Sequence, residues 1–299
     1  MRVFVTGATG FVGSAVVREL QAAGHSVVGL ARSDASADAL ERAGALVLRG
    51  SLEDAECLKR GAAAADAVLH LGFNHDWANF AASCETDRRA IDALGGALAG
   101  TDKPLIVTSG VGALRPAAPG GLIDEAVAWE ESRVPRTSEQ AALEQVKTRG
   151  VRAMIMRLPP TVHGDGDHGF VPLVIQAARK HGRAAYVGAG ENRWPAVHSA
   201  DAAVAYRLAM ERGARGAVFH AVAEEGVPFR DIAAVVARRV GVPAASLDKP
   251  DDVAAHYGFL ARFVGADVPA SSKLTRELLG WAPTHRTLLE DLEKGRYFE

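Results

Sequence analysis

The first thirteen residues of the chain read MRVFVTGATGFVG and place glycines at positions 7, 10 and 13. An apolar run at 3–5 precedes these glycines, and apolar residues recur at helical spacing from 11 to 20. The order predicts a β-strand, a glycine turn and an α-helix. In that context a glycine motif is typical of a site for nucleotide phosphates.

Each glycine of this stretch has its own physical role. Gly7 permits a tight turn, Gly10 lets the backbone approach a pyrophosphate, and Gly13 lets the helix pack closely on the strand. The free N–H groups at the helix start would face the anion. The turn adds four more predicted cofactor-binding residues: Thr6, Thr9, Phe11 and Val12. The alternative is a glycine-rich turn that holds no ligand.

Three later segments, taken with this turn, resemble the short-chain dehydrogenase/reductase superfamily in its extended and atypical, epimerase/dehydratase-like branches, whose signature is T-G-x-x-G-x-x-G. Residues 157–164 (RLPPTVHG) are similar to the family's R-x-P-x-x-V-Y-G segment. Residues 197–201 (VHSAD) and 279–283 (LGWAP) are similar to its V-H-v-x-D and L-G-W-x-P segments. The resemblance runs nearly end to end. It implies a nicotinamide dinucleotide and a small-molecule substrate.

Composition excludes several other classes. The 299 residues carry a formal net charge of −2, with both signs interspersed, so nothing indicates nucleic acid or an anionic membrane as a partner. No apolar run approaches the roughly 20 residues of a membrane span, and no leader pattern precedes the first strand. Only Cys57 and Cys84 occur, which fits a reducing compartment. We therefore expect a soluble, cytoplasmic protein.

Alternating apolar runs and helical stretches predict an α/β fold, a doubly wound parallel sheet (Rossmann fold) in the order 3-2-1-4-5-6. The predicted strands are 2–6, 26–30, 45–49, 66–71, 104–109 and 152–157. The predicted helices between them are 11–23, 36–43, 53–61, 83–99 and 137–149. This dinucleotide-binding domain spans 1–158, and 159–299 forms mainly a smaller C-terminal substrate lobe with segments returning to the sheet.

In the lobe we expect helices at 169–181, 200–212, 228–240, 252–264 and 272–279 and short strands at 184–187 and 217–220. Ser199 is the predicted N-cap of the second of these helices. Residues 110–133 and 159–168 lack periodicity and are predicted to be irregular loops, the first of them a lid or substrate-contacting segment.

The end of the second predicted strand decides the cofactor. An NAD site places an acidic residue there to hold the ribose 2′-hydroxyl, whereas this chain has Arg32 followed by Ser33. A guanidinium can pair with a 2′-phosphate, which a carboxylate would repel. The sequence therefore favours NADP(H). The alternative is NAD(H), with Asp34 turned toward the ribose and Arg32 solvated.

The resemblance implies further cofactor contacts at strand ends and on the fifth helix. Residues 50–53 (GSLE) look like the family's G-D-L adenine contact, and residues 71–73 (LGF) look like its turn beside the adenine ribose. The loop after residue 158 corresponds to the segment that meets the nicotinamide. The residues assigned in this way are Ser51, Leu52, Leu71, Gly72, Gln140, Pro159, Thr161 and Val162.

Catalysis is where the chain departs from the family. Extended members carry a Ser or Thr after the fifth strand and a Tyr-x-x-x-Lys pair on the next helix, but no tyrosine here has a lysine four residues later. Aligning the family's glutamate on Glu144 puts Arg136 at the tyrosine position and Gln140 at the lysine position. Arginine cannot act as a general acid near neutral pH. It could stabilise an oxyanion, as could Thr108 or Ser109.

A proton must then come from another group. His163, which follows the nicotinamide loop, is the first choice because imidazole titrates near neutral pH; a structural hydrogen bond is its alternative role. His75, Tyr186, Asp165 and Asp167 are the other candidates. His70 and His198 are predicted to be structural, and the HGDGDH run at 163–168 is predicted to be a turn rather than a metal site.

Three functions remain open at this point. The first is an NADP(H)-dependent oxidoreductase acting on a small or medium carbonyl, imine or alcohol. The second is a sugar-nucleotide epimerase or dehydratase, and the third is a dinucleotide-binding sensor without catalysis. The resemblance also implies a possible homodimer, with helices 83–99 and 137–149 as the dimer face that many relatives use. Seven aromatic residues are candidates for either pocket or core: Phe73, Trp77, Phe80, Trp129, Phe170, Tyr186 and Trp194.

Overall fold

The centre of the molecule is a seven-stranded sheet in which all neighbouring strands are parallel. The computed structural model describes residues 1–116, 118, 120–129 and 135–299. The sheet strands are β1 (Arg2–Thr6), β2 (Ser26–Ala31), β3 (Leu46–Arg49), β4 (Ala67–His70), β5 (Pro104–Gly110), β6 (Arg152–Leu158) and β10 (Val218–His220). Their order, β10-β6-β5-β4-β1-β2-β3, confirms the predicted doubly wound sheet and adds β10 at one edge.

Helices cover both faces of this sheet, which explains why its strands are apolar at nearly every position. In β1, Val3 and Val5 pack on one helical layer and Phe4 packs on the other. The first layer contains α1 (Phe11–Ala22), α2 (Asp34–Arg42) and α7 (Ser199–Arg212). The second contains α3 (Ala55–Ala63), α4 (Phe80–Leu98) and α5 (Ser138–Arg149). Thus α7 and β10, both late in the chain, belong to the large sheet.

A separate apolar core lies in the C-terminal lobe, built around residues such as Trp194 and Phe229. Its strands are β7 (Thr161–His163), β8 (Ala184–Val187), β9 (Arg193–His198), β11 (Glu224–Pro228) and β12 (Ala244–Leu247). Its helices are α6 (Phe170–His181), α8 (Phe229–Val240), α9 (Pro250–Tyr257), α10 (Ala261–Val264) and α12 (Leu288–Lys294). Helix α11 (Lys273–Leu279) packs instead beside α7 and β10 on the large sheet. The lobe stands at the carboxyl edge of the sheet, because β7 follows directly from the end of β6.

The structure corrects several sequence predictions in this lobe. The loop predicted at 159–168 contains β7, and the helix predicted at 252–264 is interrupted by Gly258, whose φ is +57°. Ser199 is not the N-cap of α7. Ser199 is instead the first helical residue, and the His198 ring accepts the Ala200 N–H at 3.2 Å, which is the capping role expected of a hydroxyl.

The loop predicted at 110–133 holds a 3-10 turn at Val111–Ala113, and Ile123 bridges to Ala270. Its positions 117, 119 and 130–133 lie outside the described residues. Nowhere in the described parts of the chain is a helix both long enough and apolar enough to cross a bilayer.

Two buried histidines make the fold sensitive to acid. Burial and the charge of Arg157 lower the pKa of His220 to about 3. Burial, followed by the charges of His181 and Arg183, lowers the pKa of His256 to about 4. Neither ring nitrogen of His256 has a hydrogen-bond partner among the described residues. Both rings are therefore neutral in the folded protein at neutral pH.

We predict that the free energy of unfolding falls as the pH drops from about 6.5, the usual histidine value, toward 4. The unfolded chain binds protons in this window that the folded chain does not, so acid favours unfolding. Urea unfolding at pH 7.5, 6 and 5 measures this slope. His256→Leu should flatten it, and His168→Gln, at an exposed histidine that affects neither His256 nor His220, is the control. An unchanged slope in His256→Leu would show that His256 is not neutral in the folded state.

Candidate functional site

The glycine turn closes against the end of β4 so tightly that only glycine fits. Gly7 has φ +69°, and a Cβ there would lie 2.7 Å from the Gly72 nitrogen. A Cβ on Gly13 would lie 2.0 Å from the Gly7 oxygen. Thr6 secures the same junction, because its Oγ1 accepts the Gly72 N–H at 3.1 Å. The turn is therefore fixed by β4 on one side and by the start of α1 on the other, and we call its backbone groups the cradle.

The outer rim of this cradle is open. Thr9 and Gly10 are exposed, and Phe11 and Val12 are partly exposed at the start of α1. The unpaired N–H groups of a helix start attract a negative charge. The cradle fits a pyrophosphate, since the close approaches at Gly7 and Gly13 keep side chains out of the turn.

At the far end of β2, Arg32 is exposed, and its guanidinium has no hydrogen bond or ion pair among the described residues. Ser33 is the N-cap of α2, because its Oγ accepts the Ser36 N–H at 3.2 Å. Asp34, the alternative ribose ligand, pairs instead with Arg49 at 2.8 Å. Arg49 ends β3 opposite Ala31, so two guanidinium groups stand at this edge.

The remaining predicted cofactor residues lie at strand ends around the same edge. Leu71 and Gly72 follow β4, and the Leu52 side chain would be 3.2 Å from a Cβ on Gly72. Ser51 is partly exposed beside Leu52. After β6, Pro159 is buried and Val162 is partly exposed.

Two of the predicted cofactor residues differ sharply in exposure. Thr161 is buried, and its hydroxyl donates to the Pro195 carbonyl, so it tethers the loop within the lobe. Gln140 is exposed on the first turn of α5.

Arg136, which the sequence analysis aligned with the family's tyrosine, lies just before α5 and is firmly oriented. Its Nε donates to Ser138 Oγ at 2.8 Å, and its Nη2 donates to the Thr108 carbonyl at 2.9 Å. The guanidinium carbon lies 4.2 Å from the centre of the Phe73 ring, a cation–π contact. The Trp129 indole N–H holds the Arg136 carbonyl at 2.8 Å. The other three of the five guanidinium N–H groups have no hydrogen-bond partner among the residues that the structure describes.

A buried chain of polar groups runs from Arg136 back to the glycine turn. Ser138 Oγ donates to Asp87 Oδ2 at 2.5 Å, and Asp87 Oδ1 lies 3.1 Å from His70 Nε2. His70 Nδ1 in turn lies 2.7 Å from Thr6 Oγ1. All four of these side chains are buried. The ring of His70 is therefore satisfied at both nitrogens, in agreement with the structural role predicted for it.

Asp87 remains ionised inside this chain. Burial alone would raise its pKa, but the hydrogen bond and charge of His70, the charge of Arg136 and the hydrogen bond from Ser138 outweigh it, so that the pKa is lowered. The resulting carboxylate balances the charge of Arg136 from behind Ser138.

The two hydroxyls at the end of β5 differ in availability. Thr108 Oγ1 donates to the His70 carbonyl at 2.8 Å and lies 2.7 Å from the Tyr206 hydroxyl. The Thr108 hydroxyl is therefore engaged both as a hydrogen-bond donor and as an acceptor. Ser109 is buried, and its Oγ has no partner within the described part of the chain. Of the two hydroxyls, the Ser109 hydroxyl is therefore the one whose hydrogen bonds are not already made.

His163, the first choice as proton donor, is fully buried beneath α12. Its Nδ1 lies 3.0 Å from Asp291 Oδ2, and its Nε2 lies 4.0 Å from Glu224 Oε1. This arrangement is the structural alternative considered for His163. His198 stands edge-on to it, at 5.4 Å between ring centres, and caps α7.

His75 is the predicted proton donor that the structure brings to Arg136. Its exposed ring lies 5.0 Å from that of Phe73, between ring centres. Partial desolvation, followed by the charges of Arg136 and His168, lowers the pKa of His75. His168 in turn stands 6.0 Å from the Phe11 ring, at the mouth of the glycine turn.

The other candidate donors have different surroundings. Tyr186 packs on the lobe core, and Asp165 is exposed. Asp167 accepts hydrogen bonds from the Gly169 N–H and the Tyr297 hydroxyl. Within the described ranges, no group of three His, Cys, Asp or Glu side chains has the geometry of a metal site.

The model of the NAD dependent epimerase/dehydratase family matches residues 3–89 and 135–223, which hold the glycine turn, Asp87 and Arg136. The chain belongs to this family. It is 46% identical over 298 residues to an uncharacterized protein of Schizosaccharomyces pombe, covering 100% of both chains. It is 30% identical to the 2-alkyl-3-oxoalkanoate reductase of Stenotrophomonas maltophilia, covering 81% of this chain and 77% of that one.

Solved structures extend the likeness to the whole fold. The UDP-glucose 4-epimerase of Thermotoga maritima superposes with a TM-score of 0.77 at 21% identity, over 98% of this chain and 96% of that one. At this identity the likeness concerns the fold.

Sequence reasoning missed Asp87, Ser138 and Arg49. Asp87 had a readable signal, because in α4 it shares the buried face with Cys84, Ala90 and Ile91, where a lone carboxylate requires a partner. The signal for Arg49 was weaker: it ends the strand that pairs with the strand before Arg32.

The aromatic candidates divide between the lobe core and the surface formed by Arg136, Phe73, His75 and Trp77, which we call the cleft. Trp129 and Trp194 are core, and Phe170 and Tyr186 pack against the lobe core. Trp77 is exposed and stacks on Phe80, with 5.2 Å between ring centres.

We predict that Asp87→Asn lowers the free energy of unfolding by about 1–3 kcal/mol, because it leaves buried donors without their charged acceptor. Urea unfolding at neutral pH measures this change. Glu85→Gln, which removes an exposed carboxylate from the same helix, is the control. Equal, small effects of the two substitutions would show that Asp87 does not hold this network together.

Proposed function

We propose that the protein is an NADP(H)-dependent reductase that converts a carbonyl group of a small or medium organic molecule into an alcohol. The observation that carries the proposal is the anchored Arg136, with unused N–H groups, at the position of the family's catalytic tyrosine. The name of the Stenotrophomonas maltophilia relative, a reductase of 3-oxoalkanoates, supports this choice of reaction.

The cradle of Gly7, Gly10 and Gly13 would hold the dinucleotide's phosphates, and Ser51 and Leu52 would border the adenine. Arg32 and Arg49 would bind the 2′-phosphate, because guanidinium groups match phosphate geometry. Both are exposed at one edge. When bound, the reduced nicotinamide supplies a hydride to the carbonyl carbon.

Arg136 would stabilise the negative charge that develops on the carbonyl oxygen. A guanidinium remains protonated, so it contributes charge and hydrogen bonds but no proton. Its orientation is already set by Ser138 and the Thr108 carbonyl, so little reorganisation accompanies the reaction. Ser109 Oγ would add a second hydrogen bond to the same oxygen.

His75 would deliver the proton that completes the alcohol. It is exposed beside Phe73, next to Arg136, whereas His163 is enclosed beneath α12. The family name also suggests epimerisation, for which the sequence analysis considered a sugar nucleotide as substrate. In that reaction Arg136 would have to remove a proton from the substrate. A tyrosine and lysine pair normally removes a proton there, and arginine does not accept one.

We predict that NADPH binds more tightly than NADH, and that Arg32→Asp reverses this preference. The introduced carboxylate would repel a 2′-phosphate and accept a ribose hydroxyl. Calorimetric titration with both cofactors measures the preference. Arg18→Asp, at an exposed arginine of α1, is the control. Equal binding of both cofactors by the wild-type protein would contradict the assignment of Arg32.

We further predict that kcat/KM for reduction falls as the pH rises through the pKa of His75, which lies below 6.5. Reduction requires the protonated ring, so the rate is highest in acid and declines toward neutral pH. NADPH oxidation, followed with a carbonyl compound found by screening, gives the profile. His75→Gln should remove this pH dependence, whereas His181→Gln should keep it. A decline unchanged in His75→Gln would assign the proton to another group.

A further inference from the structure

The substrate end of the cleft combines positive charge with aromatic surface. Arg136 lies over the Phe73 ring, and His75 is near enough to both Arg136 and His168 for their charges to act on it. The rings of Phe73, His75 and Trp77 follow one another at 5.0 and 6.0 Å between centres. Basic groups and flat apolar surface therefore meet at one place.

Asp76 and Asp167, the described carboxylates next in sequence to His75 and His168, are already engaged by their own loops. Asp76 accepts the N–H groups of Ala78 and Asn79 at 3.0 and 3.2 Å. Asp167 accepts the Gly169 N–H and the Tyr297 hydroxyl at 2.6 and 2.9 Å.

Asp87 is buried behind Ser138 and does not reach the cleft. Its carboxylate balances the charge of Arg136 from the far side. The open side of the guanidinium, with three N–H groups unused, faces no carboxylate in the described contacts. A ligand can supply that charge.

The apolar surface extends beyond Phe73 across the cleft. Trp77 stacks between Phe80 and Phe259, at 5.2 and 5.5 Å between ring centres, and so joins the loop after β4 to the lobe. Trp77 and Phe259 are 42% and 41% exposed, so much of this surface remains in contact with solvent. Flat apolar groups pack favourably against such rings.

We propose that the site takes an organic acid: a carbonyl compound with an aromatic or other apolar body, whose carboxylate binds Arg136. The inference rests on the proposed function, since it names the substrate class of the same site. A carboxylate would take two of the three remaining N–H groups as a fork and leave the third for the carbonyl oxygen. A charge-assisted hydrogen bond in a partly desolvated cleft is also stronger than a neutral one. The body of the molecule lies along the rings of Phe73 and Trp77.

The test is calorimetric titration of the purified protein, with and without NADP⁺, using three matched probes. Phenylacetate carries both features, phenylacetamide lacks the charge, and acetate lacks the apolar body. We expect phenylacetate to bind about 10-fold or more tightly than either of the others. Phenylacetamide binding as tightly as phenylacetate would overturn the proposal.

Substitutions locate the contact. Arg136→Gln should abolish the preference for the acid, and Arg136→Lys, which keeps the charge without the fork, should retain part of it. Arg89→Gln, at an exposed arginine of α4, is the control and should bind like the wild type. A preference that survives in folded Arg136→Gln would overturn the proposal. If that variant does not fold, an undiminished preference in Arg136→Lys would overturn it.

The two proposals fail in different ways. If phenylacetate binds in an Arg136-dependent manner but no carbonyl compound oxidises NADPH, the substrate class stands and the reductase proposal fails. If neutral ketones are reduced as readily as matched oxo acids, the reductase stands and the substrate class fails.

Discussion

The carboxylate of Asp87 is the charge on which the rest of the site depends. An ionised carboxylate inside a protein is costly unless its hydrogen bonds and charge are matched, and Asp87 is matched by His70 and Ser138. Each partner leads to a different part of the cleft. Through His70 the network reaches Thr6 at the glycine turn, and through Ser138 it reaches Arg136. The predicted phosphate cradle and the predicted reaction centre are thus parts of one buried structure.

If Arg136 takes the place of the family's tyrosine, as proposed, the two tasks of that tyrosine are divided between separate residues. A tyrosine beside a lysine both polarises a carbonyl and exchanges a proton with it, whereas a guanidinium only polarises. The proton must then be held by a separate group, and His75 stands beside Phe73 in the place where that group is needed. The same replacement adds a fixed positive charge, which favours anionic substrates over neutral ones. One substitution therefore accounts for both the proposed proton donor and the proposed substrate class.

Much of the dinucleotide-binding half was predictable from local patterns. The glycine spacing and the doubly apolar strands have short-range physical causes, and the sheet order follows from right-handed crossovers. The C-terminal lobe was harder, because its short strands pair with distant segments. β7, for example, is a strand only because β9 lies beside it. The capping box of Thr287 and Glu290 was a readable signal for α12 that the sequence reasoning did not use.

For the site, the sequence predicted which residues take part better than it predicted which of them touch. Arg136 was located by alignment with the family motif, but its anchoring by Ser138 depends on a side-chain contact that no spacing encodes. His163 had the chemistry of a proton donor, and its burial under α12 depends on residues more than a hundred positions later, such as Asp291. Burial is decided by tertiary packing, and a single sequence does not contain it explicitly.

The most direct test of this account is a crystal structure of the protein with NADPH bound. The account predicts the pyrophosphate against the glycine turn at residues 7–13, the 2′-phosphate between Arg32 and Arg49, and the nicotinamide end beside Arg136. A dinucleotide bound with its nicotinamide end away from Arg136, or with its 2′-phosphate in contact with neither Arg32 nor Arg49, would contradict it.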